Sequence, residues 1–216
     1  MTATTAERMQ IGLPDRMKAL DVDRRGYPVP WFVAWIDGEP DFRVIGPGKI
    51  EMAHSLERCW VCGQPRGRFM AFVIGPMCSI NRVSAEPPSH RDCAIYSAIH
   101  CPFLTVPKMH RRENRLPEAT VNPAGEMIRR NPGVTMVWIT RSYRVEAEGE
   151  GVLFRIGDPV EVLWYAEGRP ATRHEVAESV RTGLPILGEM AEAEGPKAVA
   201  ALESMRVSAE RLWPVP

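Results

Sequence analysis

No apolar run in this sequence is long enough to cross a bilayer, which takes about 20 consecutive residues. The opening, MTATTAERMQ, has no apolar signal core. Both absences point to a cytoplasmic protein with no membrane partner. Net charge is missing too: 27 Lys and Arg balance 27 Asp and Glu. Cysteine is scarce, and its count of five is odd. A disulfide framework is therefore not expected, because the cytosol keeps thiols reduced. No internal repeat and no low-complexity tract is present. What remains is 216 residues, 44% apolar and 25% charged, enough for one large domain or a compact pair with a true core.

The neutral total hides an uneven distribution. Residues 1–57 carry 7 basic and 9 acidic groups, 58–144 carry 13 and 5, and 145–216 carry 7 and 13. A basic middle beside an acidic tail admits an acidic partner, or neutralisation within the molecule. The strongest basic run is KMHRRENR (108–115), with Lys108, Arg111, Arg112 and Arg115. Arg129, Arg130, Arg141 and Arg144 follow. These side chains are of the kind that tracks phosphates. The expected partner is nucleic acid or an acidic protein. No aromatic residue interleaves with the run, which argues against base stacking there.

All five cysteines and two of the five histidines lie between 59 and 101. RCWVCG spaces Cys59 and Cys62 as C-x2-C with Gly63 behind, and SHRDC spaces His90 and Cys93 as H-x2-C. Two thiolates from a tight turn plus a His/Cys pair one helical turn apart meet the needs of a closed tetrahedral zinc site. Ser89 is placed to cap the second helix, with Asp92 in the reciprocal position. Gly63 and Pro65 after the first pair resist the helix that a thioredoxin-type motif requires. Cys78 is left as core or a replacement ligand. Cys101 stands before Pro102, which ends the helix; the Cys-Pro pair is also a feature of some haem-responsive proteins.

This arrangement resembles a treble clef: a zinc knuckle, a hairpin, then a helix whose first turn gives two ligands. RFMAFVIG (68–75) would supply a hairpin strand. The 27-residue spacer between Cys62 and His90 is longer than in compact members, so the hairpin must carry an extra loop. The string CWVCGQPRGRFMAFVIGPMCSINRVSAEPPSHRDCA, with YPVPWF and PDFR upstream, resembles a family of bacterial and phage proteins. That resemblance implies a setting and no activity. Treble clefs also house metal-dependent nucleases. Here Asn81, His54, His100 and His110 would have to supply the chemistry, and their positions form no convincing set. IGPGKIE (45–51) lacks the spacing and the Ser/Thr of a P-loop. His174 and Glu178 are one helical turn apart on a solvated face.

The remaining pattern predicts an α+β fold. Residues 1–57 should hold a short helix near Leu13–Leu20, strands over 31–36 and 42–45 joined by a slightly long loop, and a helix over 49–57. Residues 58–101 form the zinc module. The Pro/Arg-rich connector, 102–133, should have one short helix near 124–130. Residues 134–216 begin with strands VTMVWIT, YRVEA, VLFRI and VEVLWY, most simply an antiparallel meander. Helices then follow. Thr172-x-x-Glu175 is a capping box, Gly183 marks the end of the helix it opens, and Leu184–Ala193 and Pro196–Leu212 form two more.

Overall fold

The computed structural model describes residues 4–107, 109–110, 116, 124–125, 132–149 and 151–215. The predicted helix near 124–130 lies outside them, apart from Ala124 and Gly125. Its centre is an antiparallel sheet of four strands in the order β3 (Met70–Ile74), β5 (Thr135–Thr140), β8 (Pro159–Ala166) and β9 (Arg169–Pro170). β5 is buried at every position. That explains its unbroken apolar run, since a strand covered on both faces has no polar side to show. On one face Ala71, Val137 and Ile139 meet Ala94 and Ala98 of α4 (Arg91–His100). Alanines on both sides let the helix approach the sheet closely. On the other face Phe72, Met136, Trp138 and Trp164 build the main core.

The four predicted strands after residue 134 are all formed, but not as a meander. After β5 the chain leaves the central sheet. It makes β6 (Tyr143–Glu148) and β7 (Gly151–Ile156), which pair with each other and with β4 (Val83–Ser84). β8 then returns to β5. Tyr143, Val145 and Phe154 turn inward onto the main core, whereas Arg144 and Glu146 face out. This alternation stacks the small sheet on the central one.

The C-terminal helices close the same core. The capping box is present: the Thr172 hydroxyl accepts from the Glu175 N–H, and the Glu175 carboxylate accepts from the Thr172 N–H. The helix does not stop at Gly183. It runs as α6 (Arg173–Glu194) through Gly183 and Pro185. Gly183 serves close packing rather than termination: a Cβ there would lie 3.0 Å from Met77 Sδ on α3 (Pro76–Asn81). α7 (Pro196–Glu210) folds back after Gly195.

At the other end of the chain, α1 (Thr5–Gln10) and a single 3-10 turn (Asp15–Met17) replace the helix expected over 13–20. β1 (Val33–Ile36) and β2 (Glu39–Ile45) form the expected hairpin, with Ile36 opposite Glu39. Its loop is the minimal two residues. Asp37 and Gly38 both take positive φ, +51° and +81°, as a type I′ turn demands. α2 (Lys49–Ser55) leads into the cysteine pair. None of the helices in the described residues is long and apolar enough to cross a membrane.

Candidate metal centre

The first two ligand positions sit on a knuckle. The Cys59 N–H donates to the Gln64 carbonyl at 2.8 Å, and the Gly63 N–H donates to the Cys59 carbonyl at 2.8 Å. These bonds curl the loop so that the Cys62 N–H points at Cys59 Sγ, 3.5 Å away. Gly63 is required twice over. Its φ is +71°, and a Cβ would lie 2.5 Å from Cγ of Trp31. Trp31 and Phe32 pin the knuckle from outside. The Trp31 N–H donates to the Val61 carbonyl at 2.7 Å, and Phe32 stacks on Trp60 with centroids 4.6 Å apart.

The other two positions come from the start of α4. His90, not Ser89, is the N-cap residue, and no side chain caps this helix. Ser89 is instead tied back to β3 by a reciprocal backbone pair with Ala71. Asp92 turns outward to Arg16 at 3.0 Å. The His90 N–H reaches Cys59 Sγ at 3.3 Å, and Cys93 lies in the first turn of the helix, three residues on from His90.

The four groups converge. Cys59, Cys62, His90 and Cys93 are buried, and their ligand atoms lie within 4.8 Å of one another. His90 Nδ1 is 3.4 Å from Cys62 Sγ and 3.9 Å from Cys93 Sγ. A tetrahedral zinc ion, with Zn–S about 2.3 Å and Zn–N about 2.0 Å, sets N···S edges of about 3.5 Å. On its far side, His90 Nε2 lies 3.0 Å from the Pro65 carbonyl. Nε2–H donates there, so the Nδ1 lone pair faces the thiols. Such an outer hydrogen bond orients metal-binding histidines generally. The cluster could hold a metal ion.

With protons alone to share, the same groups polarise strongly. Burial opposes ionisation of Cys59, but hydrogen bonds from Cys62, Cys93 and His90 overcome it and hold this thiol far below its usual range. Cys93 is pushed far up, first by its hydrogen bond to Cys59 and then by that to Cys62. His90 is pushed up to about 10, chiefly by Cys59 and next by Cys62.

The N-terminal segment covers the cluster, which the sequence pattern did not reveal. Met17 shares one buried cluster with Cys59, Cys62 and Cys93, and Leu13 and Leu20 pack against it. The Tyr96 hydroxyl donates to the Met9 carbonyl at 2.5 Å. The polar look of residues 4–25 concealed a lid held by a few well-placed apolar side chains.

The leftover candidates stay apart. Cys78 is on α3 and Cys101 follows α4 as its C-cap; neither joins the cluster, and burial pushes both thiols up. His54 Nδ1 is 2.9 Å from the Tyr143 hydroxyl, His100 stacks against Tyr96, and His110 is exposed. Asn81 ends α3. Among the described residues no second group of three His, Cys, Asp or Glu is placed to hold a metal. Lys49 of IGPGKIE lies over the Trp31 ring at 3.9 Å, and Glu178 pairs with Arg181 rather than with a metal partner. Lys108, Arg111, Arg112, Arg115, Arg129 and Arg130 lie outside the described residues.

The spacer between the ligand pairs differs from a simple hairpin. RFMAFVIG does form a strand, β3, but its ladder partner is β5. The return limb touches it only through the Ala71–Ser89 bridge. The extra length is occupied by α3 and β4. No protein-family model matches the chain, no curated protein matches it, and no solved structure matches it.

Proposed function

We propose that Cys59, Cys62, His90 and Cys93 hold one zinc ion as a structural staple in a treble-clef-like module. The protein is then a non-catalytic binding protein of a bacterial or phage setting, cytoplasmic, whose basic middle engages nucleic acid or an acidic protein. The observation that carries the zinc reading is the meeting of three thiols and one oriented imidazole at a single buried point. Four protein donors complete a tetrahedron and leave no position for substrate or water, so the ion supplies folding energy rather than Lewis-acid chemistry. The alternative, a treble-clef nuclease, finds no support in the scattered positions of His54, His100 and His110.

Metal content tests this directly. Protein purified without chelator should contain one zinc per chain by mass spectrometry, with thiols released only on denaturation. Cys62→Ser should lose the zinc and melt at least about 5 °C lower, because the ion's binding energy is part of the folding energy. A Cys62→Ser protein that kept both its metal and its melting temperature would overturn the assignment.

A further inference from the structure

We infer that the end of the central sheet nearest the knuckle is a binding surface for single-stranded nucleic acid, built from Arg66, Arg68, Phe69 and Arg141. The inference deepens the binding role proposed above and rests on it for the fixed position of Arg66.

Strand register creates the surface. Met70 pairs with Thr140, so the residues just beyond that pair, Arg68 and Phe69, come beside Arg141. The Arg141 guanidinium lies 5.1 Å from the centroid of the Phe69 ring. Phe69 is 46% exposed, so part of its ring stays open to solvent. Two residues on, Tyr143 carries a second guanidinium: Arg66 donates to its hydroxyl at 3.2 Å and lies 5.7 Å from its ring centroid. Arg66 is fixed by the knuckle through bonds to the Arg58 and Glu57 carbonyls at 3.0 and 2.7 Å. Metal loading therefore holds one wall of the surface in place.

Charge on this surface is not neutralised from within. Several other arginines are paired with carboxylates: Arg82 with Asp158, Arg91 with Glu161, Arg155 with Glu146. Among the described residues, no carboxylate pairs with Arg66, Arg68 or Arg141, and Arg68 and Arg141 are exposed. The cations are all guanidiniums, whose planar forks suit phosphate and stack on flat rings. An exposed aromatic among them suits an unpaired base, because stacking needs an open base face that a duplex does not offer. Nucleic acid is favoured over an acidic protein by that ring, since a row of carboxylates would use the arginines and leave Phe69 idle.

The test is anisotropy of a fluorescent oligothymidylate of about 20 nucleotides titrated with the full-length, metal-loaded protein. Phe69→Ala should weaken binding about tenfold without changing the salt slope, as loss of one stacked base does. Arg68→Ala with Arg141→Ala should reduce the slope of log affinity against log salt by about 1.4, the value for two lost phosphate contacts to a single strand. Zinc content and melting temperature, read on the same samples, separate this surface from the staple. Zinc-free wild-type protein that still binds with Phe69 dependence would leave the surface standing and show that no metal is needed to hold Arg66 in place. Absence of binding by zinc-loaded protein at low salt would overturn the surface and leave the staple standing. Binding that is indifferent to all three substitutions would overturn it as well. So would a preference for polyglutamate over the oligonucleotide that Phe69→Ala does not alter, the result expected of an acidic protein site.

Discussion

Gly63 shows how much of the candidate centre rests on one residue. It follows the C-x2-C pair, where a glycine lets the backbone turn and present N–H groups toward sulfur. The structure adds a second demand, because Trp31 fills the space where a side chain would begin. Gly63→Ala should destabilise the protein by about 3 kcal/mol, combining left-handed backbone strain with overpacking against an indole. Urea unfolding measures this, and a cost below about 1 kcal/mol would show that Trp31 moves aside freely. The four ligand positions were legible because metal chemistry restricts both residue type and spacing. Met17, which covers them, was not, because a lone methionine in a polar stretch carries no periodic signal.

Among the elements, α6 separates local from tertiary information. Its start is a local event, legible as Thr172-x-x-Glu175, and the cap forms as expected. Its end is not local: Gly183 reads as a stop, yet the helix runs through it, and the missing side chain leaves room for Met77 of α3. The cap also carries a pH signature. The Arg169 guanidinium, then the Thr172 amide, hold the Glu175 carboxyl down at about 2. A carboxylate lowered in the folded state contributes stability that is fully present above its unfolded value of about 4.3. That contribution fades as pH falls toward 2. Glu175→Gln should lower the melting temperature by about 2–4 °C at pH 7, as expected for a cap worth about 1 kcal/mol. The gap to wild type should close between about pH 4.5 and pH 2. A gap constant across that range would mean that Glu175 acts through packing instead of charge.

Over the whole molecule, a metal at the candidate site would bear on the two cores differently. The cluster of Met17, Cys59, Val61, Cys62, Cys93 and Tyr96 is organised around the candidate site, whereas the core of Phe72, Trp138, Phe154 and Val176 is not. β3 and α4 join them, since both belong to the central sheet and its covering helix. Chelator should therefore release the N-terminal lid first. Trypsin should then cut at Arg16, Arg24 or Arg25 at least about tenfold faster, while the strands from 134 to 166 stay protected. Proteolysis followed by mass spectrometry reads the order of cuts, and simultaneous loss of both regions would show a single cooperative unit.

The sequence by itself determined the seven longer strands, the capped start of α6, and the residues of the candidate metal centre; the two-residue strands β4 and β9 were not legible in it. Each depends on neighbours within a few positions or on ligand chemistry that few residues satisfy. The tertiary structure alone decided that β5 pairs with β3 and β8 instead of β6, because strand partners are chosen by which faces can be buried together. It also decided what occupies the long spacer between the ligand pairs. α3 lies there, and it is where the C-terminal helices dock. The placement of Phe69 beside Arg141 has the same origin. Those residues are 72 positions apart in the chain, and only the register of two strands brings them together.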